Sequence, residues 1–96
     1  MARPNDFTPH TLALAKMRQK GRCGICGKYV DRLGMRAEGH HIRSAKYGGS
    51  NRVDNCVILC AEDEFGHRGG CHLFAHGDWY HREFELNRSE YTYLNG

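Results

Sequence analysis

The pattern of hydrophobic and polar positions is helical near the amino terminus. Thr8 followed by Pro9 is typical of a helix N-cap and first turn. Apolar residues then recur at roughly helical spacing until Gly21, so the pattern predicts a helix over residues 9–20. Residues 22–30 lack this spacing and indicate a tight turn, because a glycine follows each of their two Cys residues.

Further along the chain, short apolar segments alternate with polar loops. Residues 35–43 predict a first strand, and the apolar run CVILC at residues 56–60 predicts a short buried strand. The segment CHLFAHGDW, which starts at Cys71, predicts a short helix that ends near Gly77. The tail from Trp79 onward has no clear period. Together these elements indicate an α+β domain.

Length and composition place the elements in one small domain. The chain has 96 residues, of which 40% are hydrophobic, and its mean hydropathy of -0.71 excludes a membrane protein. We expect an N-terminal helix over residues 1–21, a core over 22–79 and a C-terminal extension over 80–96. A chain of this size often gains stability from a bound metal ion or from disulfides.

Basic residues are concentrated in one part of the sequence. Residues 16–52 hold ten Lys or Arg against Asp31 and Glu38, whereas residues 53–96 are net acidic. This bias suits the basic part for contact with a polyanion. The first residues lack the apolar core of a signal peptide, and no run approaches the length of a membrane helix. We therefore expect an intracellular protein without a membrane segment.

Four Cys residues form a candidate structural zinc site. An odd number of Cys with one close pair fits reduced thiolates on a metal better than a set of disulfides. Zn²⁺ takes four soft ligands in tetrahedral geometry, so one close pair and two remote thiolates would join both halves of the chain. The predicted ligands are Cys23, Cys26, Cys60 and Cys71, with His67 as the alternative to Cys71. Cys56 is expected to be a buried strand residue.

A second group of polar residues is a candidate catalytic site. Adjacent histidines are unusual in a core, because a buried neutral ring must satisfy both nitrogens. In a regular strand they face opposite sides, so both reach one site only at a strand end or bulge. Two further histidines are four residues apart on the second predicted helix, a spacing that lets two imidazoles bind one metal ion. The group comprises His40, His41, Asn55, His72 and His76.

The order of these motifs resembles the HNH endonuclease family, whose fold is the ββα-metal motif. Over roughly residues 22–77 the motifs come in a fixed order. A Cys-x-x-Cys pair is followed by GHHI, a GG-containing loop, NCVILC, and then CH with a further His four residues on. The resemblance implies a zinc-stapled core of two antiparallel strands, a long loop between them and a helix across them. Here the N-terminal helix would precede this core.

The resemblance also implies roles for the polar group. His41 matches the first His of the family name, the general base that takes a proton from water. Asn55 matches the Asn that braces the loop between the strands and orients this His. His72 matches the final His, a ligand of the catalytic metal. His40, at a position that is often Asp in relatives, and His76 match further ligands found in the colicin nucleases.

Such a site suits hydrolysis of phosphodiester bonds. Imidazole is the natural general base near neutral pH, and a divalent cation offsets the charge that develops on the phosphate. An all-nitrogen ligand set favours Mn²⁺, Ni²⁺, Co²⁺ or Zn²⁺ over Mg²⁺, although Mg²⁺ is abundant in cells. We expect Glu38 to be a solvated acid rather than a ligand. Basic residues in or beside the nearby loops are candidates for phosphate contacts, namely Arg43, Lys46, Arg52 and Arg68.

The expected function is therefore that of a metal-dependent endonuclease or nickase. A single small site cuts one strand at a time. The expected partner is DNA, double-stranded or single-stranded, with RNA as an alternative and with a protein partner if the chain acts in a larger nuclease complex. The family resemblance suggests the cytoplasm of a bacterial or phage-infected cell. The alternative function is a non-catalytic zinc-binding module that binds nucleic acid or a protein.

Overall fold

The computed structural model describes residues 7–30, 36–44, 48–62, 69–76 and 88–96. It has the predicted α+β architecture. The predicted strand at 56–60 is observed with the same bounds, and the helix and strand predicted at 9–20 and 35–43 are both present and shorter. In chain order the elements are α1 (Pro9–Arg18), β1 (Ala37–His41), β2 (Cys56–Cys60) and α2 (Gly70–His76), with 3-10 turns at Val53–Asn55 and Arg88–Glu90. No helix of the described residues is long and apolar enough to cross a membrane.

Local sequence signals determine both ends of α1. The hydroxyl oxygen of Thr8 accepts a hydrogen bond from the backbone N–H of Thr11 at 3.1 Å, which is the predicted N-cap. The chain leaves the helix in the left-handed conformation at Lys20 and Gly21, with φ of 57° and 75°. The Gly21 N–H bonds back to the Lys16 carbonyl at 2.9 Å. The helix therefore ends earlier than the apolar spacing alone predicts.

β1 and β2 form an antiparallel pair on which the other elements pack. The register places Ala37 opposite Cys60 and His41 opposite Cys56. Every residue of β2 is buried, whereas β1 is partly exposed. Helices α1 and α2 both pack against β2, and α2 also reaches β1. The buried core comprises Ala15, Cys23, Val30, Ile42, Cys56, Val57, Ile58, Leu59, Cys60, Ala75, Tyr91 and Leu94.

A buried glutamine joins α1 to the middle of β2. Gln19 is fully buried, and its Oε1 accepts the N–H of Ile58 at 2.7 Å. Its Nε2 donates to the carbonyls of Ile58 and Arg22 at 2.9 and 2.8 Å. The side chain thus pairs with the edge of β2 as another strand would, and satisfies backbone groups that are shielded from water.

Replacing Gln19 with Leu is expected to lower the free energy of unfolding by about 2 kcal/mol. The substitution leaves the Ile58 N–H buried without its acceptor, and a leucine of similar size supplies no replacement. Urea unfolding followed by circular dichroism measures the change. Met17→Leu is the matched control because Met17, also at the end of the helical segment, is 73% exposed. Equal stability of the two variants would contradict this role of Gln19.

The carboxyl-terminal segment 88–96 packs back onto α1 and onto the residues just before β2. The Arg18 guanidinium donates to the carbonyls of Leu94, Val53 and Cys56. Arg88 donates to the Asp54 carbonyl at 2.7 Å. These bonds bring Tyr91 and Leu94, both almost fully buried, into the core beside β2. The terminal segment is therefore part of the structure that surrounds the candidate site.

Candidate active site

The Cys-x-x-Cys segment forms the predicted tight turn. Arg22 and Tyr29 form an isolated antiparallel bridge, and the Cys23 N–H bonds to the Lys28 carbonyl at 2.7 Å. Gly27 has a φ of 76°, which permits the reversal of the chain, and its N–H bonds to the Cys23 carbonyl at 3.1 Å. The turn also docks on β2, because the Gly24 N–H bonds to the Ile58 carbonyl at 2.9 Å.

The four predicted thiol ligands lie together in space. The sulfur atoms of Cys23, Cys26, Cys60 and Cys71 all lie within 4.8 Å of one another, and those of Cys26 and Cys60 are 3.9 Å apart. A tetrahedral zinc ion with Zn–S bonds near 2.3 Å separates its sulfurs by about 3.8 Å. The donor type and the spacing both fit a metal such as zinc. Among the described residues this is the single cluster of three or more candidate metal ligands.

The start of α2 brings Cys71 to this cluster. Gly70 adopts a φ of 70°, and a Cβ there would lie 2.8 Å from the Cys60 carbonyl oxygen and 3.1 Å from its sulfur. A glycine is therefore needed where α2 approaches the end of β2. The Cys71 N–H points at the Cys60 sulfur, 3.4 Å away. The role of Gly70 was not predicted from the sequence. The sequence feature that could have indicated it is the glycine pair directly before Cys71. His67 lies outside the described residues.

Crowding of the four thiols strongly perturbs their ionisation. A hydrogen bond from the Cys71 thiol lowers the pKa of Cys23 to about 4. The same bond, with burial and the neighbouring sulfurs, raises the pKa of Cys71, and burial raises the pKa of Cys60. Like charges this close oppose full ionisation of the cluster. A bound cation removes that opposition, so the cluster has the chemistry of a metal site.

The structure brings His40 and His72 together. His40 is the fourth residue of β1 and His72 lies in the first turn of α2, and their ring centroids are 5.7 Å apart in an edge-to-face arrangement. Both side chains are partly buried. The helix backbone continues to His76, one turn beyond His72, but the His76 side chain lies outside the described part of the structure.

His41 is the last residue of β1, and its neighbours differ from those of His40. Its ring stacks on Phe7 at a centroid distance of 4.1 Å and an interplanar angle of 23°. Successive side chains of a strand point to opposite faces, so His41 points away from the His40–His72 pair. Gly39 makes room for the N-terminal residues on this face, because a Cβ there would lie 3.2 Å from Phe7 and 2.4 Å from Leu12.

Asn55 ties the residues after β1 to those before β2. Its side-chain oxygen accepts the N–H of Arg43 at 2.8 Å, and its Nδ2 donates to the carbonyls of Arg43 and Ser50 at 3.0 and 2.7 Å. Its own carbonyl accepts the N–H of Ile42 at 2.9 Å. These bonds fix the backbone immediately after His41. Asn55 therefore joins the two ends of the loop between β1 and β2.

Two aromatic neighbours of the histidines were not apparent from the sequence. Tyr91 is 3% exposed, and its ring centroid lies 6.3 Å from that of His40. Phe7 covers one face of His41. Both residues are distant in sequence from the histidine motifs and lie in segments without clear strand or helix periodicity, so no local pattern marks them.

The remaining candidates lie on the surface or outside the described residues. Glu38 is exposed and occupies the same face of β1 as His40, two residues away. Arg43 and Arg52 are exposed on either side of the loop that Asn55 braces. Lys46 and Arg68 fall outside the described residues.

Comparison with known proteins addresses the family resemblance. The model of the HNH endonuclease family matches residues 23–63. Over these residues the chain is similar to the HNH endonuclease family. The matched segment contains the Cys-x-x-Cys turn, both strands, the paired histidines and Asn55, whereas α1, α2 and the terminal segment lie outside it. The match confirms the resemblance and indicates nuclease activity, acting on DNA, in general terms. No curated protein and no solved structure matches the chain.

Proposed function

We propose that this protein is a metal-dependent HNH endonuclease that hydrolyses phosphodiester bonds of DNA and nicks one strand at a time. The contact between His40 and His72 carries the proposal. His40 lies inside the HNH segment and His72 lies beyond its end, yet the fold of α2 against the sheet brings their rings to 5.7 Å. When two imidazoles bind one ion through nitrogens about 2.1 Å from it, their ring centroids lie roughly 5 Å apart. The distance between His40 and His72 is close to this value.

In this proposal His40, His72 and His76 hold the catalytic ion, and His41 stays off it. Bound there, a divalent cation would offset the charge that develops on the phosphate and the departing 3′ oxygen. His41 takes the proton from the attacking water. It is the last residue of β1, and at a strand end two adjacent histidines can both reach one site. Phe7 stacks on one face of that ring and limits its rotation. Asn55 holds the backbone next to it.

The four cysteines are proposed to bind a separate structural Zn²⁺. Cys23 and Cys26 come from the turn, Cys60 ends β2, and Cys71 lies in the first turn of α2. An ion at this position would connect the turn, the end of β2 and the start of α2. The proposed zinc therefore sets the position of α2, and with it the position of His72 one residue after Cys71.

The test is nicking of supercoiled plasmid with added Mn²⁺, Ni²⁺, Co²⁺, Zn²⁺ or Mg²⁺, comparing wild type with His72→Ala. We expect His72→Ala to require about tenfold or more metal for half-maximal nicking, because one ligand of the ion is lost. His10→Ala is the control, since His10 is exposed on α1. Both variants should keep wild-type circular dichroism and zinc content.

Two outcomes would contradict the proposal. An unchanged metal requirement in folded His72→Ala would remove His72 from the ligand set. Folded wild-type protein that binds DNA but nicks with none of these ions would favour the non-catalytic zinc-binding module instead.

A further inference from the structure

We propose that a second nucleic-acid contact lies on the Cys-x-x-Cys turn, where an unpaired base of a single strand stacks on Tyr29. The contact consists of Arg22, Lys28, Tyr29 and Tyr93, which we call the tyrosine–arginine face. Its assignment to nucleic acid rests on the proposed function, but its residues are separate from the histidines and thiols described above.

The bridge between the two arms of the turn creates this face. Arg22 and Tyr29 pair directly across the antiparallel bridge, so their side chains project on the same side. The Arg22 guanidinium carbon lies 5.2 Å from the Tyr29 ring centroid and 4.5 Å from that of Tyr93. Its Nε donates to the Gly27 carbonyl at 2.8 Å, which fixes the orientation of the guanidinium.

Packing of the terminal segment explains why an aromatic ring is present at Tyr93, but it does not explain the ring of Tyr29. The Tyr93 ring lies against Gly27, where a Cβ would come within 2.7 Å of it, and the Tyr93 N–H bonds to the Gly24 carbonyl at 2.9 Å. Tyr93 thereby docks the chain end on the turn. Tyr29 is 55% exposed although it contacts Arg22. Docking of the terminal segment does not require an aromatic ring at that position.

The charge around Tyr29 indicates the kind of ligand. No Asp or Glu occurs in residues 7–30, which carry five Lys or Arg. Lys28, next to Tyr29, and Lys20 are both exposed. Proteins bind single strands by stacking bases on exposed aromatic rings and by contacting phosphates with nearby cations. Tyr29, the Arg22 guanidinium beside it and the adjacent lysines provide these features. Paired bases inside a duplex cannot offer a free face, so the expected ligand is an unpaired segment.

The test measures binding of a fluorescein-labelled single-stranded thymidine oligonucleotide by anisotropy, with no catalytic metal added. Tyr29→Ala is expected to bind about tenfold more weakly than wild type, because one stacked base loses its partner. Tyr29→Phe should retain most of the affinity, since the ring remains. Phe74→Ala is the matched control, because Phe74 is 57% exposed but lies on α2. Binding of a duplex of equal length should change less than twofold in each variant.

The proposal is overturned if wild type does not bind the single strand, or if Tyr29→Ala binds it as wild type does. It is also overturned if Tyr29→Phe loses as much affinity as Tyr29→Ala, since the hydroxyl rather than the ring would then be the contact. Retained zinc content verifies that each variant is folded. Binding is measured without cleavage, so the two proposals can fail separately. If the protein nicks normally but Tyr29→Ala binds the single strand as wild type does, only this inference is contradicted. Stacking on Tyr29 without any nicking contradicts the proposed function alone.

Discussion

Replacing His41 with Ala is expected to reduce the rate of plasmid nicking by about 10²- to 10⁴-fold, with the fold and zinc content unchanged. This is the range that general-base assistance contributes to hydrolysis. His41 is partly exposed at the end of β1, and apart from its stacking on Phe7 it is not a core residue, so removing its ring should cost little stability. Nicked and linear plasmid, quantified over time at saturating metal, measure the rate.

Metal dependence separates the role of His41 from that of its neighbour. His40→Ala should also slow nicking, but added Mn²⁺ or Ni²⁺ should recover part of its rate, because the proposed defect is weaker binding of the ion. His41→Ala should not recover at any metal concentration, because the missing group acts on water. Recovery of His41→Ala by metal, or its failure to slow nicking at all, would show that the two assignments are wrong.

The alternation of side chains in β1 makes the two proposed roles compatible. His40 lies beside His72 and Tyr91, whereas His41 lies beside Phe7 on the other face. A base that faced the ligands would be drawn onto the ion and lose the lone pair that accepts the proton. The register, with His41 opposite Cys56 at the end of the ladder, keeps the rings apart. Position at the strand end also leaves His41 beside the loop that Asn55 braces.

The sequence predicts the elements that have local signals. The run CVILC has no polar residue and is buried throughout as β2, and Thr8 with Pro9 caps α1 where expected. The Cys-x-x-Cys pair and the remote cysteines also come together as predicted. For α1, the turn and β2, a few neighbouring residues determine the outcome, because capping, turn formation and burial of a short apolar run are local effects. The meeting of the remote cysteines is instead indicated by the shared donor type of their side chains.

The contacts that the sequence does not reveal depend on tertiary packing. Gln19 is a polar residue at the end of an amphipathic pattern, and nothing local indicates that it is buried against Ile58. Tyr91 reaches His40 because Arg18 and Arg88 hold the terminal segment in place. Gly70 matters because two backbone segments approach each other there. Such residues become identifiable when distant parts of the chain have been placed in three dimensions.

Cys26→Ala is expected to destabilise the protein more than Cys56→Ala, although burial alone predicts the opposite order. Cys56 is fully buried, whereas Cys26 is exposed. Burial raises the pKa of Cys56 to about 11, so this thiol stays protonated and acts as a small apolar side chain. Its replacement should cost about 1 kcal/mol through lost packing. Removing Cys26 takes away little packing but one of four proposed ligands, and should cost more than about 4 kcal/mol.

Zinc content measured by native mass spectrometry, together with urea unfolding, distinguishes ligation from packing. Wild type and Cys56→Ala should each carry one zinc ion, whereas Cys26→Ala and Cys23→Ala should lose it. Cys23→Ala should be at least as unstable as Cys26→Ala, because Cys23 is also fully buried. If Cys26→Ala keeps its zinc and its stability, the cluster is not a four-thiolate metal site. The sulfur atoms would then be close because β2 and α2 pack together there, and the position of His72 would depend on packing rather than on the metal.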